Sequence, residues 1–480
     1  MPCLESESMM LRPVHTLRRR LCVLSIPFIL SACSVADLEP TAVPPQLPAT
    51  YRLANAPAPS VAATGENWWH PFHDPVLDGL LSRTAERNLT VAQARQRLVA
   101  ARALAHSEIA SYSPNLGVTG LAQGATGKSN DKDLTRRPLQ FNLELGWEVA
   151  LFGEDKLKQK AADLSAAMVA EDLNAARLAV ATETASTYVK LRSLQKRADI
   201  ARGTITLLSR SQRLATNRAQ NGLDTRLQAD AAAGRLNAAK LEAARLETAI
   251  GDAMQQIATL QGSATYDASL VPAHPQPRAP IFQTSSQPAD LLRRRPDVRR
   301  AEMTVLQAGA ELGLAQADLY PKLHLSGMIG IGTPVNGNLF GLMGGPSLQL
   351  PVLDQGKRRD LIVARKAMLE EATAAYRQSV LVAYEEASTA IRALQIARQN
   401  VARQEGIVSS ARRASKAAGL LQREGLADAS GSVSESLSVL EAENQLSQAI
   451  EEEALAQIAV VKVMAGTASP VAAPAARTGG

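Results

Sequence analysis

The sequence predicts a mainly helical protein with a small β part, built from two tandem structural repeats. Three observations predict this fold class: a stretch of 68 residues, 154–221, without proline; two copies of one sequence pattern; and short segments in which apolar and polar residues alternate. Aromatic residues make up only 3% of the chain. Compact globular cores use more large rings than this, whereas Ala-rich helices packed side by side need few.

An internal repeat divides the chain. Residues 88–120 align without gaps on residues 295–327 at an offset of 207, and later segments match at an offset of 203. The change of offset indicates a loop that is shorter in the second copy. Each copy consists of a helix, a break at proline, two short alternating segments and a long helical pair.

Composition predicts the boundaries around the repeats. Proline-rich segments, which favour extended chain over helix, precede the first copy and separate the two copies. The last residues have a composition typical of disorder. The predicted segments are a leader at 1–32, a lipidated proline-rich lead-in at 33–66, the first repeat at 67–262, a linker at 263–290, the second repeat at 291–465 and a tail at 466–480.

The long helices are predicted to form pairs. A helix over 154–221 would be roughly 100 Å long at 1.5 Å per residue, which is too long for the interior of one globule. A second helix follows Gly222, and the second copy repeats the pair over 357–421 and from Leu437 onward. Antiparallel pairs of this kind pack as coiled coils.

The alternating segments predict one β-hairpin in each copy, at about 114–152 and about 321–355, and therefore four strands per chain. From Leu139 to Glu148 apolar and polar residues alternate, which gives the strand one apolar and one polar face. A sheet that spans a bilayer must close, and about eight strands are the fewest that close a barrel. Three chains of four strands would form a twelve-stranded transmembrane barrel with its polar face toward water.

The N-terminus indicates export and lipidation. Positive charge, a short apolar segment and the tetrapeptide "LSAC" ending at Cys33 follow in the order of a secretory leader. "LSAC" resembles the bacterial lipobox, which implies an N-acyl diglyceride on Cys33, and Ser34 then implies sorting to the outer membrane. An ordinary leader with an incidental cysteine is the alternative. Because Cys3 and Cys22 lie in the leader, the mature chain would have no free thiol.

Four segments in order, "NWWHPFHDPVLDGLL" (67–81), "LLRRRPDVRRAE" (291–302), "ADLYPKL" (317–323) and "PVLDQGKRR" (351–359), together resemble the TolC-like outer-membrane efflux proteins, in particular their lipoprotein branch of the NodT type. The resemblance covers nearly all of the chain. It implies a homotrimer whose barrel continues into a periplasmic α-barrel of long helices. It also implies an exit duct of a tripartite RND efflux system, with outer-membrane lipid, a periplasmic adaptor and an inner-membrane pump as partners and small molecules as cargo.

The resemblance further implies two periplasmic tip turns, at Gly222 and Gly425, where the tunnel narrows and the adaptor docks. A glycine that simply ends a helix is the plainer interpretation of both. Leu437 and Glu441, four residues apart on one helix face, match the family's pore constriction, and a solvated helix carboxylate is the alternative for Glu441. Five residues separate Gly222 from Leu227 and twelve separate Gly425 from Leu437, so seven extra residues are expected at the second tip.

The arginines of "LLRRRPDVRRAE" are interpreted as a structural joint. Pro296 and Asp297 suit the start of a helix, whereas Arg293, Arg294 and Arg295 oppose the helix dipole there. We therefore expect carboxylates from another segment beside them. A net charge of +6 on 480 residues, with few aromatic residues, argues against a nucleic-acid binder.

Two other motifs are set aside. "AQGATGKS" at 122–129 satisfies the P-loop pattern, but the residues after it open no helix, so it is interpreted as the tip of the first hairpin. His70 and His73 alone are too few for a metal site, and Asp74 before Pro75 predicts a helix N-cap beside an apolar anchor. Without a nucleophile–base constellation we expect no enzyme, and no cofactor or metal.

Two alternatives to the efflux duct remain open. A duct for a type I protein secretion system would have the same tunnel and a different pump. A lipid-anchored periplasmic coiled-coil protein without a pore would explain the long helices, but it would leave the paired alternating segments without a purpose.

Overall fold

The computed structural model describes residues 42–48, 68–122, 125–129, 132–136, 139–278, 294–332 and 340–464. The first copy contains α1 (Pro75–Arg87), α2 (Leu89–Ala110), β1 (Asn115–Ala122), β2 (Ala125–Ser129), β3 (Lys132–Arg136), β4 (Leu139–Val149), α3 (Glu154–Gln220) and α4 (Arg226–Leu260). The second contains α5 (Pro296–Ala317), β5 (Lys322–Gly332), β6 (Phe340–Gln349), α6 (Lys357–Arg423) and α7 (Ala429–Val463).

The helical pairs confirm the predicted repeat. α3 and α6 have 67 residues each, and α4 and α7 have 35 residues each. One short turn joins each pair, and it contains Gly222 (φ 70°) or Gly425 (φ 73°) in left-handed backbone. Glycine adopts this conformation at little steric cost, which explains why each long helix ends there. Among the described residues, no helix combines the length and the apolar character needed to cross a bilayer.

The expected lengthening of the second tip is wrong. α7 begins at Ala429 rather than at Leu437, so the residues between them are helix and not a longer turn. At the offset of 203 the counterpart of Leu227 is Ser430, not Leu437. The expectation equates Leu437 with Leu227, whereas packing stabilises helix from Ala429 onward, and Val433 is 7% exposed.

Four strands form one antiparallel sheet in the order β1-β4-β5-β6. β4 and β5 come from different repeats and are neighbours at its centre, with Leu143 opposite Ile329. The two predicted hairpins are therefore halves of a single sheet, and β1 and β6 are its edges.

A separate two-stranded ribbon, β2 paired with β3, raises the strand number above the predicted four. Its residues, 125–136, do not alternate between apolar and polar, so periodicity could not reveal it. The segment 122–129 leads into this ribbon and not into a helix, which confirms that its P-loop pattern belongs to the tip of the first hairpin.

Asp74 confirms the predicted cap and ties α1 to α3. Its Oδ1 accepts hydrogen bonds from the backbone nitrogens of Val76 (2.9 Å) and Leu77 (3.2 Å). Its Oδ2 accepts one from the Tyr188 hydroxyl at 2.6 Å. The predicted apolar anchor is buried around this cap. The cluster includes Trp68, Phe72, Leu77, Leu80, Leu81, Tyr188, Leu191, Ile257 and Ile458, with Trp69 packed against it.

The lead-in lies against the second repeat where it is described. Residues 42–48 form neither helix nor strand. Ala42 and Leu47 pack against the buried cluster that includes Val298 of α5 and Tyr376 of α6. This stretch is therefore extended, as its prolines favour, and it is held on the surface of the second repeat.

Arg295 confirms the predicted joint. Its Nη2 lies 2.8 Å from Oδ2 of Asp297 and 2.7 Å from Oε2 of Glu386 on α6. Its Nη1 donates to the carbonyl of Val463, the last residue of α7, at 3.3 Å. The guanidinium therefore connects the start of α5 with α6 and with the end of α7.

The neighbouring arginines divide between solvent and ion pairs. Arg294 is exposed, whereas Arg295 is buried in the joint, and Arg293 lies outside the described residues. Two further ion pairs join α5 to α3: Arg299 with Glu171 at 3.1 Å, and Arg300 with Asp172 at 3.0 Å.

Candidate functional site

The four-stranded sheet has one apolar face with large, exposed side chains. Val118 is 73% exposed and Leu342 is 74% exposed. An apolar surface of this size is unfavourable in water, and lipid is the environment that suits it. The exposed apolar residues of this face are Leu116, Val118, Phe141, Leu145, Trp147, Ile329, Ile331, Phe340, Leu342 and Leu348.

The opposite face is polar, as the alternation in β4 predicts. Glu144 lies on this face, and its Oε1 accepts a hydrogen bond from the Thr119 hydroxyl at 2.8 Å. Register places Gly117 opposite Glu144 on β1 and Met328 opposite it on β5. The polar face is therefore the one that can line a water-filled path.

Charged and aromatic side chains meet where the sheet joins the helices. Lys322 Nζ lies 2.9 Å from Oδ1 of Asp318 and 3.6 Å from Oε1 of Glu148. Phe152 stacks on Tyr320 with ring centroids 4.7 Å apart. Aromatic rings and lysines of this kind are typical of the boundary between lipid and water.

Glu154, the first residue of α3, lies at the same junction and is 6% exposed. Burial raises the pKa of its carboxyl, although the positive charge of Lys322 acts in the opposite direction. The junction therefore holds one buried carboxyl whose ionisation is disfavoured, beside the ion pairs of Lys322.

The two tip turns are linked by one arginine. Arg218, near the end of α3, places its Nε 3.6 Å from Oδ2 of Asp224 and its Nη1 3.3 Å from Oδ2 of Asp428. The Ser430 hydroxyl donates to Asp428 at 2.7 Å. This hydrogen bond, with the charge of Arg218, holds the pKa of Asp428 below its usual value. Sequence reasoning missed the link because its partners are 210 residues apart.

Exposed leucines surround the tip glycines. Leu223 follows Gly222 and is 71% exposed, and Leu426 follows Gly425 and is 75% exposed. Leu227, in the first turn of α4, is also 75% exposed. Apolar side chains grouped at the end of a helical hairpin form a surface on which a partner can dock.

Leu437 and Glu441 lie together on α7 but not in the tip turn. At 1.5 Å per residue they are roughly 12 and 18 Å along the helix from Ala429. Both line a cavity of about 640 Å³ between α3, α4 and α7, beside Arg197 of α3. Glu441 is exposed, and its Oε1 accepts a hydrogen bond from Nε2 of Gln445 at 3.0 Å.

The sequence also singled out a lipidation site, Cys33, and a possible metal ligand, His70. Cys33 lies outside the described residues, so its lipidation stays a prediction. Nδ1 of His70 lies 3.2 Å from Oδ1 of Asp78. Within the part of the chain that the structure describes, no three His, Cys, Asp or Glu side chains are grouped as a metal site.

Comparison with known proteins gives a consistent result. The chain matches the model of the outer membrane efflux protein family over residues 80–263 and 288–466. Nodulation protein T of Rhizobium leguminosarum bv. viciae is 29% identical over 385 residues, which cover 78% of this chain and 78% of that protein. Outer membrane protein OprJ of Pseudomonas aeruginosa is 27% identical over 411 residues, or 82% of this chain and 85% of that protein.

The fold also has close counterparts among solved structures. The outer-membrane channel OprN superposes with a TM-score of 0.77 at 26% identity, covering 89% of this chain and 99% of that chain. The apolar sheet face, the paired long helices and the sequence match to the family all point to the same protein class. The chain therefore belongs to the outer membrane efflux protein family and is an outer-membrane efflux duct of the NodT type.

Proposed function

We propose that three copies of this chain close one twelve-stranded barrel and conduct small molecules, such as drugs or toxic compounds, passively from the periplasm to the exterior. The four-stranded sheet carries this proposal. Its apolar face suits lipid, while its edge strands β1 and β6 would leave backbone groups unpaired in hydrocarbon. Four strands are too few to close a barrel, so the edges must pair with other copies. An inner-membrane pump supplies the energy, and the duct itself has no catalytic role.

The tip turns are the proposed docking point for a periplasmic adaptor. Leu223 and Leu426 give this end an apolar surface, and Asp224 and Asp428 place carboxylates beside it. Apolar contacts rimmed by charge are characteristic of specific protein interfaces. Arg218 holds the two turns together, so docking that separates them has to displace its ion pairs.

Leu437 and Glu441 are the proposed constriction residues. Their common helix face and the cavity beside Arg197 support a place on the solute path. If Glu441 faces that path, Glu441→Gln lowers the preference of the channel for cations. An unchanged reversal potential in a salt gradient would assign it to the solvated helix surface instead.

Lipidation of Cys33 is proposed to anchor the mature chain in the outer membrane without any other cofactor. Metabolic labelling with palmitate checks this directly. Label in the wild type and its loss in Cys33→Ser are expected, whereas a labelled Cys33→Ser variant contradicts the assignment.

The proposed function is tested by purifying the chain from outer membranes and measuring its oligomeric state and its conductance in planar bilayers. Heat-modifiable trimers, which stay intact in detergent until they are boiled, and which form discrete channels, are expected. A monomer without conductance supports the periplasmic scaffold instead. In cells, deletion of the gene should raise accumulation of small toxic compounds, whereas retention of one secreted protein with normal drug resistance supports the protein-secretion duct.

A further inference from the structure

One row of the polar sheet face carries a carboxylate next to two thioethers. Register aligns Gly117 of β1, Glu144 of β4, Met328 of β5 and Met343 of β6 across all four strands. Side chains opposite each other on neighbouring strands have Cβ atoms roughly 5 Å apart. Glu144 and the methionines therefore form one continuous strip along the wall.

Glycines make room beside this strip. The row borders a cavity of about 430 Å³, which Asn115 and Ser326 also line. Gly117 and Gly146 form part of the same wall, and a methyl group added at either position would meet no atom within 4 Å. The space beside Glu144 is thus open and large enough for a small organic molecule.

The charge of this strip is negative. The next carboxylate along β4, Glu148, is four residues away, roughly 13 Å in an extended strand, and it is paired with Lys322. Glu144 accepts a hydrogen bond from the uncharged hydroxyl of Thr119, so this contact does not neutralise the carboxylate. A carboxylate in this position attracts cations and repels anions.

The methionines define the rest of the ligand. Thioethers are polarisable and make favourable contacts with aromatic and apolar groups. Glu144 and Met343 are two strand spacings apart, roughly 9.6 Å, which is too far for one metal ion to bridge. An organic cation with an apolar body can reach both.

We propose that Glu144, Met328 and Met343 form a binding site for monovalent organic cations with an apolar body on the lumen wall of each protomer. The proposal rests on the proposed function, since the closed barrel places this face toward the solute path. It adds a class of cargo that the duct itself favours: the cation lies against Glu144 and its apolar part against the thioethers.

The test measures binding of tetraphenylphosphonium to the full-length trimer in detergent by equilibrium dialysis, with neutral triphenylphosphine oxide as the matched probe. The wild type is expected to bind the cation more tightly than the neutral probe. Glu144→Gln should weaken cation binding about fivefold, as for an ion pair open to water on one side. Gly146→Val, which fills the cavity and keeps the charge, should weaken binding of both probes.

Glu148→Gln is the control for the general charge of the lumen. An equal loss in Glu148→Gln, or unchanged binding in Glu144→Gln, overturns the proposal. Displacement of the probe by silver ion in the wild type, but not in a variant with both Met328→Leu and Met343→Leu, also overturns the proposal. The site would then be a metal site. Conducting trimers that bind no cation defeat this inference alone, whereas a chain that forms no trimer defeats the proposed function as well.

Discussion

Asn88 and Arg295 occupy equivalent positions in the two repeats and hold equivalent helices with different chemistry. Asn88 donates from Nδ2 to the carbonyl of Leu260, the last residue of α4, at 2.7 Å. Arg295 donates to the carbonyl of Val463, the last residue of α7, at 3.3 Å. A helix C-terminus leaves such carbonyls without intrahelical partners. The fold therefore requires a donor at this position, and an amide or a guanidinium can supply it.

The two joints differ in what else they do. Oδ1 of Asn88 caps α2 by accepting from the backbone nitrogen of Val91 at 3.0 Å. Arg295 provides no cap, but it adds ion pairs to Asp297 and Glu386. The first joint is therefore neutral, whereas the second depends on charge and hence on pH and salt.

A second difference lies on α3 and α6, the long helices of the two repeats. In the first repeat Arg192 is fully buried, lies over the Tyr188 ring and donates to the carbonyl of Pro272 at 2.7 Å. The equivalent positions in the second repeat hold Gln395 and Ile391. The first repeat thus uses a buried cation to hold the segment that follows α4.

The largest effect is expected for the anchor of the first repeat. Trp68→Ala should lower the free energy of unfolding by about 3–5 kcal/mol, because a fully packed ring leaves a cavity. Loss of heat-resistant trimer and the denaturation midpoint measure it. Trp69→Ala is the matched control, since Trp69 is only partly buried against the cluster. Equal losses in the two variants would show that the anchor does not depend on Trp68 packing.

Arg295→Met should cost about 2 kcal/mol. It leaves Asp297 and Glu386 without their shared cation and the Val463 carbonyl without its donor, but both carboxylates are about half exposed, which limits the loss. Arg294→Met, at the exposed neighbouring position, should change stability by less than about 0.5 kcal/mol. The denaturation midpoints of the two variants are compared. Similar values would contradict a joint that depends on Arg295 and not on Arg294.

Asn88→Ala should cost about 1.5 kcal/mol, because it removes a cap and the donor to Leu260. Asn88→Ser keeps a capping oxygen but is too short to reach Leu260, so it should recover about half of the loss. Chemical denaturation separates the two variants. No recovery in the serine variant would assign the whole effect to the bond with Leu260.

The tip turns should respond equally. Gly222→Ala and Gly425→Ala should each cost about 1 kcal/mol through left-handed backbone alone, since a Cβ at either position meets no atom within 4 Å. Gly419→Ala, inside α6 and equally open, should stabilise by up to about 1 kcal/mol. Thermal melts of the three variants measure the effects. Unequal losses at the two glycines would mean that the turns are not structurally equivalent.

The smallest effect is expected for the pH dependence of stability at the Arg295 joint. Burial opposes ionisation of Asp297, but the hydrogen bonds and the charge of Arg295 outweigh it and hold the pKa below its usual value. Because the folded pKa lies below the unfolded value, this stability is present above about pH 4 and is lost as the pH falls through the folded pKa. The melting temperature should therefore fall less between pH 5 and pH 3 in Arg295→Met than in the wild type. An equal fall in melting temperature in both proteins would show that this joint does not contribute to the pH dependence of stability.

Much of the fold follows from local patterns. The absence of proline between 154 and 221 predicts α3 almost to its last residue, and the alternation from Leu139 to Glu148 predicts β4 and both faces of the sheet. The cap at Asp74 follows from the Asp-Pro dipeptide. The predicted start of α7 at Leu437 is wrong because it matches Leu437 with Leu227, while packing extends the helix back to Ala429.

The sequence by itself therefore determined the length of α3, the tip glycines and the two faces of the sheet, since each depends on residues close together in the chain, and it determined the repeat because both copies can be aligned directly. Tertiary structure alone decided that β4 and β5 pair across the repeats, that Glu386 rather than another carboxylate meets Arg295, and that Arg218 joins the tips. It also decided that Glu144, Met328 and Met343 share one row. These contacts join residues far apart in the chain, and their formation depends on the packing of whole elements, which no local period encodes.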